Sequence, residues 1–402
     1  MGPFNVFSRL RAGEPVQEEA PPAFQSPFYL IAEPGWPNYG DELIAREWLR
    51  YLATTHPDVP VILDCNRPGS AASILHGEHP LLTCVDTLAR LTFERDFRYV
   101  FGPEDSIFDI AAAVRRSLEW RGGNPRYAMG VKLIESARSF HYVGGGYMSS
   151  KHQFNLARLE LGKWATERGV PVIATGLGLV PLEGEDLEFV QGALSEFKFV
   201  GLRDASSYEG VKSGCNAALM PDDCFVNGLA SCVSDASDMP SIMICIQSEF
   251  DLQGGDLFSL VESQLNAWDI VPGEEAVGVV ECNPVFDRDI YDWLFDKGYN
   301  LKFYPTLDVL LDGLPVRSGQ RWISTRYHPH LVASAYGCEG AFINVSDDYY
   351  GAKHEAVRRM GSGWSEIASA EDAGTLGRGF TNPEMRFEFR DSIRGAASVL
   401  YG

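Results

Sequence analysis

The chain has 402 residues, 45% of them apolar, with a formal net charge of −21. That is enough for two α/β domains with separate cores, and it excludes a disordered chain. So acidic a balance argues against nucleic acid as a partner, because phosphate backbones are bound by an excess of Lys and Arg.

Residues 1–24 are rich in Pro, Glu and Gln and lack an apolar signal segment; they read as a flexible tail. No apolar run approaches the ~18 residues of a membrane span. The eight cysteines form no CxxC pair, and several sit in apolar runs such as SIMICIQ (241–247). The expectation is a cytoplasmic protein with buried thiols and at most peripheral membrane contact.

In the first half, FYLIAEP (28–34), VPVILDC (59–65), FRYVFG (97–102), FHYVGGG (140–146), VPVIATGLGL (170–179), FKFVGLR (197–203) and AALMPDD (217–223) are continuous apolar runs. Such runs suit strands of a parallel sheet buried on both faces. Amphipathic stretches at 41–55, 106–120, 152–168, 184–196 and 206–213 predict helices between them. Residues 227–241 are small and polar and read as a linker. The alternation then resumes with strands near 241–247, 276–283, 300–306, 321–326 and 340–346. The predicted boundaries are an N-terminal Rossmann-like domain over 25–230, a second over 238–380, and a C-terminal helix over 381–402 that packs back on them. Two doubly wound α/β domains would face a cleft, with ligands beyond the carboxyl ends of the strands.

Those strand ends hold the candidate residues. In EPGWPNYGDELI (33–44), Asp41 can cap the following helix, or Asn38 and Asp41 can point into the cleft as polar contacts or a base. Gly144, Gly145 and Gly146 either form a plain turn or let amides approach an anion. Arg203 ends a strand, where an ion pair with Asp204 is the alternative to ligand binding; Ser206 and Glu209 match a capping box. In RWISTRYHPH (321–330), Arg326, Tyr327 and His328 precede Pro329, which suits the first helical position. A guanidinium, an imidazole and a helix N-terminus together favour a phosphate or carboxylate. A metal at His328 and His330, or at HGEH (76–79), would lack a third ligand in register.

In order along the chain, NYGDE (38–42), GGG (144–146), GLGLVP (176–181), LRDASS (202–207), PDD (221–223), RYH (326–328) and YYGAK (349–353) resemble the polysaccharide pyruvyl transferase family. The resemblance implies a GT-B-like fold with an acceptor side in the N-terminal domain and a donor side in the C-terminal one. It implies transfer of pyruvate from phosphoenolpyruvate to two hydroxyls of a saccharide as a cyclic ketal, with release of phosphate. It places the phosphoenolpyruvate anion on Arg203, Arg326, Tyr327 and His328, with Lys353 as a further cleft contact. His328 would then serve as acid and Asp41 as base, with no metal or other cofactor. The acceptor, lipid-linked or free, and the oligomeric state stay open. The rival readings are a GT-B glycosyltransferase with a nucleotide-sugar donor and a non-catalytic saccharide-binding protein on the same scaffold.

Overall fold

The computed structural model describes residues 25–95, 99–102, 104–120, 125–249, 256–346 and 350–402. The expected tail over 1–24 lies outside them.

The N-terminal sheet contains β1 (Phe28–Ile31), β2 (Val61–Asp64), β3 (Leu82–Val85), β4 (Ser139–Tyr142), β5 (Val172–Leu177), β6 (Phe199–Leu202) and β7 (Ala217–Leu219). Its strands are parallel throughout and run in the order β3-β2-β1-β4-β5-β6-β7. The C-terminal sheet contains β8 (Ile242–Cys245), β9 (Val277–Val280), β10 (Leu301–Tyr304), β11 (Arg321–Ser324), β12 (Glu339–Phe342) and β13 (Ser365–Glu366). It is also parallel, in the order β10-β9-β8-β11-β12-β13. In both sheets the strand order reverses beside the first strand, between β1 and β4 and between β8 and β11, which is where doubly wound sheets open a crevice. The molecule is therefore a pair of Rossmann-like domains in the GT-B arrangement.

The sequence reading erred at the edge of the first sheet. The third strand is Leu82–Val85, whereas 99–102 form a loop bridged only at Glu94 and Val100, and 97–98 lie outside the described residues. β3 is half-buried on the sheet edge, so it lacks the dense apolar run of the central strands. The helix expected over 152–168 is two helices, Gln153–Leu156 and Leu159–Thr166.

One apolar core belongs to both domains. It joins Trp48 and Leu49 of helix Tyr39–Thr55, Phe225, Trp322, Leu331 and the C-terminal residues Ile393, Ala397 and Tyr401. Helix Met385–Tyr401 packs against Asp223–Asn227 and β5 of the first domain, so the chain's last helix returns across the linker. Backbone bonds also cross, with Tyr39 N donating to Cys282 O at 2.9 Å. Among the described residues no helix is long and apolar enough to cross a membrane.

Candidate active site

Between the domains lies a cavity of about 790 Å3, lined from the first domain by residues including Asn38, Asp41, Gly146 and Arg203 and from the second by Arg326, Tyr327, His328 and Lys353. Each stands in the loop after a strand, in the first turn of the helix that follows, or on the helix Ala352–Arg359.

Arg203 follows β6 and is 5% exposed. Its Nη1 donates to Asp222 Oδ2 at 2.8 Å, and its guanidinium lies 4.6 Å from the centroid of the Tyr327 ring. The anticipated alternative partner, Asp204, does something else. It caps helix Ala205–Val211 by accepting from Ser207 N at 2.8 Å, so the expected Ser206–Glu209 box does not form the cap. The strand ends at Leu202, and Asp204 is the capping residue that reaches the first turn from there.

Arg326 is the N-cap residue of helix Tyr327–Ala335, which places Tyr327 and His328 inside its first turn and Pro329 third rather than first. Proline is tolerated there because no amide of the first turn has an intrahelical acceptor. The guanidinium is held by Asp287, from Nε at 3.0 Å and also from Nη2, while Nη1 lies 3.5 Å from the Tyr350 hydroxyl. Asp287 is itself fixed by the amides of Cys282 and Asn283 at 2.9 and 3.0 Å. Arg326 is thus oriented before any ligand arrives.

The His328 ring packs on the N-terminus of helix Tyr39–Thr55. A Cβ on Gly40 would lie 2.0 Å from His328 Nδ1, so only glycine permits this approach. On the other side, Nε2 lies 3.6 Å from Asp222 Oδ1, just beyond hydrogen-bonding distance. Burial raises the Asp222 carboxyl, but His328 and Arg203 outweigh it and hold the group below its usual range. Sequence reasoning quoted the PDD motif without giving Asp222 a role; the signal available was its place after the last strand of the first sheet.

Asp41 is the third residue of its helix, not the cap. Asn38 is the N-cap, accepting from Gly40 N at 3.4 Å and donating to Asp41 Oδ2 at 2.9 Å. Asp41 is exposed only in part, and to the cavity. Burial lifts its carboxyl to about 6, with His328 and Arg203 pulling it back. Burial also presses the Lys353 ammonium well below its usual value, reinforced by Arg203 and opposed by Asp41.

The three glycines divide. Gly144 N donates to Asp223 Oδ2 at 2.8 Å and Gly145 N to Gly176 O at 3.3 Å, so these two amides face the protein and not an anion. The buried Asp223 carboxylate captures the first of them and also accepts from Trp48 and Thr175. Gly146 alone of the three lines the cavity. A Cβ there would sit 2.9 Å from Arg203 Nη2 and 3.3 Å from Lys353 Nζ, so its bareness lets two cations meet the backbone.

His330 points elsewhere, between His354 Nδ1 at 3.0 Å and Ser362 Oγ at 2.9 Å, and His79 Nδ1 accepts from Leu81 N at 3.1 Å. Among the described residues, Cys245, Cys282 and Asp287 are close enough together to share a metal ion, but Asp287 already serves Arg326. All eight cysteines are free thiols.

Two Rossmann-like domains with a cavity between them, lined by Arg203, Arg326 and Lys353, define a GT-B-type protein. The sequence profile of the polysaccharide pyruvyl transferase family matches residues 38–347, and the chain belongs to that family. A search of curated proteins found no match. Among solved structures, the chain is similar to the UDP-GlcNAc 2-epimerase from Neisseria meningitidis, at 9% identity and a TM-score of 0.47 over 94% of this chain and 99% of that one. It is also similar to MurG from Acinetobacter baumannii, at 12% identity and a TM-score of 0.48 over 94% and 99%.

Proposed function

We propose that the protein transfers pyruvate from phosphoenolpyruvate to two hydroxyls of a saccharide, forming a cyclic ketal and releasing phosphate. The observation that carries this reading is the convergence of Arg203, Arg326 and Lys353 on one cavity in a chain of net charge −21. A local positive focus inside an acidic shell selects a small, highly charged anion. Phosphoenolpyruvate brings a phosphate and a carboxylate on three carbons. Leaving these unpaired in a closed site would cost several kcal/mol or more, on the order of a buried-charge penalty. Arg203 and Arg326, each preset by its own aspartate, offer the remaining guanidinium edges, and Lys353 adds a compact charge.

The steps then follow from proton balance. A proton reaches the methylene carbon, positive character builds at the carbon bearing phosphate, and one sugar hydroxyl attacks it. Phosphate departs, and a second hydroxyl closes the ketal. Of the two hydroxyl protons, one replaces the proton placed on the methyl group and the other leaves with phosphate. In this reading His328, between Gly40 and Asp222, delivers the proton, and Asp41, its carboxyl lifted to about 6, receives one from a hydroxyl. Lys353 and the two arginines stabilise the departing phosphate. The charge balance needs no metal. The N-terminal domain would carry the acceptor and the C-terminal helix start the donor.

The test is incubation with phosphoenolpyruvate and pyranosides that bear suitably spaced free hydroxyl pairs, followed by phosphate release and product mass. Phosphate release together with a mass gain of one pyruvate ketal is expected. Phosphoenolpyruvate that neither binds nor turns over with any acceptor would sink the reading.

A further inference from the structure

The outer part of the cavity carries an aromatic side chain that the reaction steps above do not use. Trp36 lies in the turn between β1 and helix Tyr39–Thr55, lines the cavity and is 51% exposed. One face of its ring is covered by Arg67, whose guanidinium carbon lies 3.4 Å from the ring centroid.

The turn is locked rather than loose. Pro34 and Pro37 flank it, Gly35 has φ +99°, and Gly35 N donates to the buried Glu42 at 2.6 Å. A Cβ on Gly35 would meet Arg67 O at 2.6 Å, so the turn is pressed onto the start of helix Pro68–Ile74. A rigid flat ring with one face left open beside a polar cavity suits a ligand with one apolar face. Across the cavity the second domain contributes Phe286, from the segment after β9.

We propose that Trp36 is the stacking platform for the saccharide acceptor, taking the C–H face of a pyranose ring on the indole face that Arg67 leaves uncovered. A pyranose presents C–H groups on one side and hydroxyls around its edge, so stacking at Trp36 turns those hydroxyls inward, toward Asp41. Arg67 and Lys151, which both line the cavity, donate to hydroxyl or ring oxygens of the sugar. The assignment deepens the pyruvyl-transfer reading by naming the acceptor subsite, and it rests on that reading for the identity of the sugar as a substrate.

The test uses the full chain and a panel of methyl pyranosides of galactose, glucose and mannose. Binding is followed by saturation-transfer NMR, with phosphoenolpyruvate binding measured in parallel by calorimetry. Trp36→Ala should weaken binding of the preferred sugar roughly tenfold, the scale of one aromatic contact. Trp36→Phe should retain most of the binding, and phosphoenolpyruvate affinity should stay within about twofold in both variants. Unchanged sugar binding in Trp36→Ala, equal loss of both ligands, or no binding of any panel sugar to the wild type would each overturn the platform. Sugar binding that depends on Trp36 without phosphate release from phosphoenolpyruvate would keep the platform and reject pyruvyl transfer.

Discussion

Asp222 reaches Arg203 and His328 with its two oxygens, Oδ2 at 2.8 Å from Nη1 and Oδ1 at 3.6 Å from Nε2. The cation proposed to bind the donor and the proposed acid therefore both face one buried carboxylate. Asp222→Asn keeps the shape and removes the charge. Turnover should fall on the order of a hundredfold, as expected when a catalytic acid loses its orienting partner. The folded-state carboxyl is depressed, so its stabilisation is fully present above the ordinary value of 3.8 and is lost as pH falls through the lower folded value. Thermal unfolding at neutral pH should show a lower Tm for the variant, with the difference shrinking in strong acid. A variant with wild-type turnover would break the link.

Arg326→Lys tests the fork. Asp287 binds the guanidinium through two nitrogens, a geometry an ammonium cannot reproduce. The Michaelis constant for phosphoenolpyruvate should rise by about tenfold or more, the loss of one charge-assisted hydrogen bond. Steady-state kinetics with varied donor is the measurement, and an unchanged constant would remove Arg326 from the donor site.

The Asp41 carboxyl gives a pH signature. A base must be ionised to accept a proton, so the acid limb of the rate profile should climb with pH through about 6. In Asp41→Asn that limb should vanish along with most of the activity. Because the folded value lies above the ordinary 3.8, the folded state holds the extra proton in this window and Asp41's contribution to stability declines as pH rises from about 4 to 6. Urea unfolding across that range should show a shallower decline for the variant.

Lys353→Met should separate function from stability. The ammonium is depressed by burial and by Arg203, so its charge is held at a cost in the folded protein. The variant should lose phosphate release and unfold at a higher temperature, as happens when a strained functional charge is removed. Its stability should also depend less on pH below the lysine's ordinary value of 10.5, because a depressed folded value makes the wild type gain stability as pH rises in that region. A lower Tm would show that Lys353 supports the fold.

What the sequence revealed divides along physical lines. The central strands were legible because burial on both faces demands unbroken apolar runs, as in β1 and β8. The strand ends then pointed to Asn38, Asp41, Arg203, Arg326 and His328, which the structure brings to one cavity. The edge strand β3 was not legible, since its exposure relaxes the pattern. Caps were misread by three positions at Asp41 and by two at Ser206 because several neighbouring residues can cap, and only the end of the preceding strand decides among them. The amides of Gly144 and Gly145 and the role of Asp222 depend on partners far away in sequence, 79 residues for Gly144 and 19 for Arg203. No local pattern encodes such pairings.

A chain of hydrogen bonds runs from the last helix to the glycine turn. The Tyr401 hydroxyl meets His141 Nδ1 at 2.8 Å, His141 Nε2 meets Thr175 at 2.7 Å, Thr175 donates to Asp223 at 2.6 Å, and Asp223 accepts from Gly144 at 2.8 Å. Tyr401 leaves the ribosome after every strand of both sheets. The first half therefore emerges with the His141 imidazole awaiting a hydroxyl that is translated after every strand, and the hydrogen-bond chain to the glycine turn is complete only when that helix docks.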